Sequence, residues 1–183
     1  MGETRFDYRD GRAQAARWAL WLGMWWIAAF ACVAYSYANP FAGVLQWVCI
    51  IVSLTGLVRR VRAYAEEHEG YGFWRRLWLS WTTSFYASLL TTMAQHLYFR
   101  FLDKGRLMSA WTEMMNNEEV RQAMTQLYPN VNIEAQIEAM DNITLGDITV
   151  CLITLNILLA AAAALLTALL SRPRKDKTEL NQT

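Results

Sequence analysis

The sequence predicts an all-α, polytopic membrane protein with four transmembrane helices and an amphipathic helical cap between helices three and four. Three observations predict this: the composition, four long apolar runs without a charged residue, and a polar segment with helical periodicity. Of the 183 residues, 55% are hydrophobic and 18% are charged, whereas soluble domains carry about 25% charged residues. So little charge excludes a disordered chain and a nucleic-acid-binding protein.

Two apolar runs near the N-terminus predict a transmembrane helical hairpin. Residues 18–37 carry no charged side chain, and at about 1.5 Å per residue they can cross a hydrocarbon core of about 30 Å. The turn signal Asn39-Pro40 separates them from a second uncharged run, residues 41–58. A cleaved signal peptide is the alternative for the first run, but its apolar core would span only about 7–15 residues. We therefore expect both runs to be spans.

The third predicted span, residues 77–99, carries polar residues on one side. They recur at three- and four-residue steps, which places them on one helix face, here named the polar stripe: Ser80, Ser84, Ser88, Thr91 and Gln95. His96 follows at the predicted outer end of this span. In lipid such a face turns toward other helices, where hydroxyls bond across helices or back to their own carbonyls. Helix packing is the expected role of the stripe, and a polar passage is the alternative.

The fourth predicted span, residues 148–170, carries small residues at four-residue spacing. Ala160, Ala164 and Ala168 fall on one face, and small side chains let another helix approach closely. Asn156 is the amide near the middle of the span. We therefore expect this face to pack against a helix, either of this chain or of a partner.

The polar segment between spans three and four, residues 100–147, predicts a helical cap lying on the membrane surface or over the bundle. A first helix is indicated by apolar residues at helical spacing: Leu107, Trp111, Met114 and Met115. Asn116, with Glu119 three residues later, predicts the capped start of a second helix. Asn132 is expected to cap a third.

The basic residues predict the orientation. With four spans, the N-terminal tail (1–17), the second loop (59–76) and the C-terminal tail (171–183) share one side, and they hold 13 of the 17 Lys and Arg residues. The positive-inside rule therefore places both termini in the cytoplasm, as in a protein of the bacterial inner membrane. Residues 100–147 then lie outside the cytoplasm.

The sequence contains few residues suited to catalysis, ion transport or metal binding. The four predicted spans contain no Asp, Glu, Lys or Arg, although charges within the membrane normally mark ion pathways. No catalytic or metal-binding motif occurs. We expect no catalytic residue, no cofactor and no metal site, and read Cys32, Cys49 and Cys151 as small buried apolar residues. A membrane-embedded enzyme would need His96 or the acids of the cap.

Two segments and the overall layout resemble a known family. The segments are the charged, Gly- and aromatic-containing entry to span three (62–76) and its aromatic exit (98–103), followed by the helical segment 107–142. In these respects the chain resembles the DUF4199 proteins, small four-span membrane proteins of Bacteroidota-type bacteria whose function is uncharacterised. Lys104 stands where that family often has Pro. The resemblance implies the four-span layout and carries over no functional residue.

These observations favour a non-enzymatic scaffold or interaction subunit. Its expected partners are the lipid bilayer and either a second copy or another membrane protein, with no nucleic acid. The alternative is a small transporter or channel component that uses the polar stripe of span three.

Overall fold

The computed structural model describes residues 8–36, 39–68, 71–103, 105–127, 135, 139 and 142–172. These residues contain helices and no β-strand, which confirms the all-α class for the described part of the chain. The helices are α1 (Tyr8–Ser36), α2 (Pro40–Glu67), α3 (Phe73–Leu97), a π-helical segment (Tyr98–Asp103), α4 (Arg106–Asn116), α5 (Glu118–Leu127) and α6 (Leu145–Leu170).

Three of the described helices are long and apolar enough to cross a membrane. They are α1, α2 and α6, within the ranges Arg9–Ser36, Phe41–Glu67 and Leu145–Leu170. Helix α3 is not among them because the polar stripe and its neighbouring hydroxyls lower its mean hydropathy. Length and composition therefore support a membrane protein with three such helices, and the crossing of α3 is a separate proposal.

The helices extend beyond the apolar runs. Helix α1 begins at Tyr8 rather than Trp18, and α2 continues past Val58 to Glu67. The additional residues are mainly Arg, Ala, Glu and Gln, which form helices well in water. A charged residue therefore ends the segment suited to hydrocarbon without ending the helix.

Side-chain caps fix the starts of two long helices. Asn39 Oδ1 accepts a hydrogen bond from the N–H of Phe41 at 3.0 Å, ahead of the Pro in the first turn of α2. At the start of α6, Asp147 Oδ2 accepts from the backbone N–H of Thr144 at 2.9 Å, and the Asp147 N–H donates back to Thr144 Oγ1 at 3.3 Å. This reciprocal capping box ends the preceding loop at a defined residue.

The predicted cap of the second helix in the polar segment is wrong by one residue. Helix α4 runs through Asn116, and Asn117 has the extended backbone that separates α4 from α5. Asn117 Oδ1 accepts from the N–H of Glu119 at 2.9 Å. Asn116 is the last residue of α4, and α5 begins at Glu118, so Asn117 is the one residue between the two helices that can cap α5.

Part of the predicted cap lies outside the described residues. Asn132 belongs to that part, as do the side chains of Leu107 and Trp111. In the described part, Met115 on α4 is buried whereas its neighbour Met114 is exposed. The apolar side of α4 therefore turns inward at Met115.

The chain divides into two compact units. The first combines Met1–Thr92 with Ile153–Thr183, and the second is Met93–Leu152. The hydrophobic core of the first unit is contributed by α1, α2, the residues before α3, and α3 itself: Ala15, Ala19, Leu22, Leu57, Val61, Ala65, Tyr71, Leu79 and Ala87. Many of these side chains are small, which brings the helix backbones close together.

Close helix contact in the first unit depends on two glycines. A Cβ at Gly23 would lie 2.8 Å from Leu90 Cδ2, and a Cβ at Gly56 would overlap the indole of Trp21. The guanidinium of Arg60 lies 3.9 Å from the centre of the same indole, on its face. Trp21 is therefore held between α1 and α2 and has little room to move.

We expect Gly56→Ala to lower the free energy of unfolding by about 1–3 kcal/mol, because the methyl group would displace Trp21 from a packed contact. Denaturant unfolding of the purified chain in micelles measures this change. Gly43→Ala is the matched control on the same helix, since a Cβ there meets nothing within 4 Å. A Gly56→Ala variant as stable as Gly43→Ala would contradict the assigned packing of α1 on α2.

Candidate functional site

The polar stripe of α3 is buried in the structure. Its five members are at most 7% exposed: Ser80, Ser84, Ser88, Thr91 and Gln95. The other side of α3 exposes large apolar residues: Trp81, Tyr86, Leu89, Met93 and Leu97. The helix therefore has one inner polar face and one outer apolar face, as a helix suited to lipid on one side requires.

Most hydroxyls in the middle of α3 donate to carbonyl oxygens of their own helix. Thr91 Oγ1 donates to the carbonyl of Ala87 at 2.9 Å, and Ser88 Oγ donates to that of Phe85 at 2.8 Å. Thr83 does the same one turn earlier. These bonds satisfy the hydroxyl protons locally and lower the cost of burying the groups.

One hydrogen-bonded chain joins α3 to α6 in the first unit. Asn156 Nδ2 donates to Thr92 Oγ1 at 2.8 Å, and Thr92 Oγ1 donates in turn to the carbonyl of Ser88 at 2.9 Å. The Thr92 hydroxyl thus accepts one bond and donates another, and all three residues are buried. Asn156 is the predicted amide, whereas Thr92 lies beside the predicted stripe.

The small face of α6 is covered by the chain itself. Ala160, Ala164 and Ala168 are each 0% exposed. Ala164 also lines a groove of about 560 Å³ that runs between α3 and α6, lined by Trp74, Arg75, Leu77, Trp78, Trp81, Ala161 and Ala164. The three alanines therefore serve packing within this chain and do not form a free face for a partner.

His96 belongs to the second unit and has a defined partner there. Its Nδ1 lies 2.8 Å from Thr149 Oγ1. The hydroxyl proton of Thr149 is directed to the carbonyl of Leu145 at 2.8 Å, so the histidine Nδ1 carries the proton and donates it. This bond holds the His96 ring in one orientation.

The other end of the α3–α6 contact differs from the middle. Four hydroxyls there are buried and have no hydrogen-bond partner among the described residues: Ser80, Ser84, Thr167 and Ser171. Arg76, one turn before Ser80, is also buried. Of these four, Ser80 and Ser84 belong to the predicted polar stripe, whereas Thr167 and Ser171 were not predicted. Thr167 and Ser171 continue the spacing of the alanine face, which is the signal that would have identified them.

The described residues contain no group of three His, Cys, Asp or Glu side chains that could hold a metal ion. Among the cysteines, Cys49 is buried and Cys32 is half-buried, but Cys151 is exposed. The expectation that all three are buried is therefore wrong for Cys151, which lies on the outward side of α6.

A protein-family model matches the chain. The family described as "Protein of unknown function (DUF4199)" matches residues 17–172, nearly the whole chain. No curated protein and no solved structure matches the sequence. The match includes α1 from Arg17 onward and every later described helix.

We expect Thr92 and Asn156 to be energetically coupled. A double-mutant cycle with Thr92→Val and Asn156→Leu should give a coupling energy of about 0.6–1.7 kcal/mol, the range found for hydrogen bonds between membrane helices. Unfolding of the purified chain in micelles measures it. Thr82→Val is the control, because Thr82 bonds the carbonyl of Trp78 on its own helix. The effects of Thr82→Val and Asn156→Leu on the free energy of unfolding should simply add. The contact would be contradicted if the effects of Thr92→Val and Asn156→Leu also simply added.

We also expect Ala164→Leu to destabilise the folded chain by about 1–3 kcal/mol, because a larger side chain overpacks a fully buried position. Ala162→Leu, in the same alanine run but at an exposed position, should change the stability by less than about 0.5 kcal/mol. The same unfolding measurement compares them. Equal effects of the two substitutions would refute the assignment of the buried face.

Proposed function

Since the chain belongs to the DUF4199 family, whose function is unknown, we propose that it is an inner-membrane protein with four spans that acts as a non-enzymatic scaffold or interaction subunit. In this proposal α3 is the third span, residues 77–99. Both termini lie in the cytoplasm, and residues 100–147 form an extracytoplasmic cap.

The buried polar face of α3 supports a fourth crossing. A helix of 25 residues is about 37 Å long at about 1.5 Å per residue, enough for a hydrocarbon core of about 30 Å. Its polar side chains are turned inward and largely bonded to the helix itself, while its exposed side is apolar. Such a helix meets lipid only through apolar groups, so its low overall hydropathy is no obstacle to insertion.

A partly exposed amphipathic helix carries the proposal of an interaction role, since Val120 and Met124 on its apolar face are half-buried. Helix α5 has no buried residue in the structure. Val120, Met124 and Leu127 share one of its faces, and Leu127 is 71% exposed. The opposite face is polar, with Gln122 at its centre. An amphipathic helix of this kind stabilises a complex when a partner buries its apolar face.

The polar groups of the α3–α6 contact support a structural rather than a catalytic role for the bundle. Asn156, Thr92 and Ser88 form a closed chain of hydrogen bonds, which holds two helices together. Groups used in this way are not free to act on a substrate.

Crosslinking from the two faces of α5 tests the interaction role. A photo-crosslinking residue in place of Leu127 should give defined adducts in native membranes, whereas the same residue in place of Gln122 should give few or none. Co-purification under denaturing conditions and mass spectrometry identify the adducts. Equal yields from the two positions, or no adduct from either, would contradict the proposal.

The unpartnered hydroxyls favour a second candidate, a small transporter or channel component. Ser80 and Ser84 are buried without a hydrogen-bond partner, and a water-filled passage would supply one. Cysteine scanning separates the two functions. In a chain whose native cysteines are replaced by Ser, Ser84→Cys should resist a water-soluble maleimide if the stripe serves packing, and react if it lines a passage.

Thr91→Cys is the matched control for this scan, because Thr91 lies on the same face but bonds to Ala87. Protection at both positions supports the scaffold. Labelling at both positions would contradict the scaffold and support the transporter or channel component.

A further inference from the structure

Three arginines converge at the C-terminal end of α6, which lies in the first unit. Arg62, from the end of α2, donates from Nη2 to the carbonyl of Leu170 at 2.7 Å. Arg172 follows α6 two residues later. The first turns of α3 lie beside the C-terminal half of α6, because Trp74 and Trp78 line one groove with Ala161 and Ala164. Burial lowers the pKa of Arg76, and the charge of Arg172 lowers it further. Arg76 precedes the proposed third span.

Arg76 is the buried member of this group. It is 6% exposed, and its Nε and Nη1 have no hydrogen-bond partner. No described carboxylate forms an ion pair with it. Burying a guanidinium with two unpartnered nitrogens and no opposite charge is unfavourable. At this helix end the carbonyl oxygen of Leu170 already accepts a hydrogen bond from Arg62.

Other buried polar groups at this end of the α3–α6 contact also lack hydrogen-bond partners. Ser171 Oγ and Thr167 Oγ1 on α6, and Ser80 Oγ one turn after Arg76 on α3, are buried and unpartnered. The hydroxyls farther along α3, such as Thr83 and Thr91, bond to their own helix. The unpartnered hydroxyls of α3, Ser80 and Ser84, therefore lie in the half of the helix that follows Arg76.

We propose that this arginine site, formed by Arg62, Arg76, Ser171 and Arg172, binds a phosphate group. Phosphate supplies several acceptor oxygens and negative charge, and its geometry suits the planar donor fork of arginine. A single bound phosphate would give Arg76 both an opposite charge and acceptors for its buried N–H groups. The proposal goes beyond the scaffold role and does not depend on it or on the orientation in the membrane.

The source of the phosphate is a lipid headgroup or the free ion, and the surroundings resemble a lipid site. The apolar run of α6 ends at Leu170, so the arginine site lies where hydrocarbon gives way to water. The groove lined by Trp74, Trp78 and Trp81 begins on the same first turns of α3 and leads along α6. An acyl chain fits the apolar lining of such a groove.

Lipid and phosphate binding by the full-length chain test the proposal. Native mass spectrometry of the chain from nanodiscs of phosphatidylcholine with phosphatidylglycerol should show one retained phosphatidylglycerol. We expect Arg76→Gln to weaken its retention about tenfold, equivalent to about 1.4 kcal/mol. Arg59→Gln removes the same charge at an exposed position of α2 that belongs to neither the arginine site nor the groove, and it should leave phosphatidylglycerol retention within about twofold of the wild type.

Thermal unfolding in neutral detergent distinguishes the two sources. Stabilisation of the wild type by inorganic phosphate alone, lost in Arg76→Gln, identifies the free ion as sufficient. Stabilisation by phosphatidylglycerol alone identifies the lipid. If neither stabilises the wild type, or if Arg59→Gln weakens binding as much as Arg76→Gln, the arginine site is not a phosphate site.

A folding defect of Arg76→Gln would not hide the result. Ser171→Ala changes no charge and removes one proposed donor, so it should weaken lipid retention about threefold while unfolding in phosphatidylcholine nanodiscs stays as in the wild type. Unchanged retention in both Ser171→Ala and a folded Arg76→Gln would overturn the proposal.

Discussion

The polar face of α3 has to be covered before this helix can lie in an apolar environment, because buried hydroxyl and amide groups are costly without hydrogen bonds. Helix α6 contributes to this cover, because Asn156 reaches Thr92 across the contact. Its small residues, such as Ala160 and Ala164, are completely buried, so larger side chains there would overpack the bundle. The character of α3 as a candidate span depends on the burial of this polar face.

The two ends of the α3–α6 contact have different chemistry. Around Thr92 the buried side chains of Asn156 and Thr92 donate hydrogen bonds to acceptors, so this region holds α3 and α6 together. Toward Arg76 the buried guanidinium and hydroxyl groups have no hydrogen-bond partner among the described residues, and the proposed phosphate would supply acceptors for them. A structural role and a phosphate site therefore do not compete, because they belong to different turns of the same helix pair. The interaction role concerns a third surface, helix α5 in the second unit.

Much of the local structure could be predicted from the sequence, and the errors have local causes. The three- and four-residue spacing correctly grouped Ser80, Ser84 and Ser88 on one buried face. It could not show that Thr92, beside the stripe, receives the bond from Asn156, since spacing defines a face but not the direction from which another helix approaches. Asn116 and Asn117 are equally suitable caps by residue type. The structure selects Asn117 because α4 uses Asn116 as its last residue.

The sequence by itself determined the membrane character, the helical class and the charge asymmetry, because these follow from composition and periodicity within each segment. It also determined which residues of α3 and α6 share a face. Only the tertiary structure decided what covers each face: the alanines of α6 are buried by their own chain, and Arg76 is buried while Arg75 is exposed. In the sequence these arginines are alike, since both precede an apolar run. Their difference arises from the neighbouring helices, which bury one side of α3 and leave the other open.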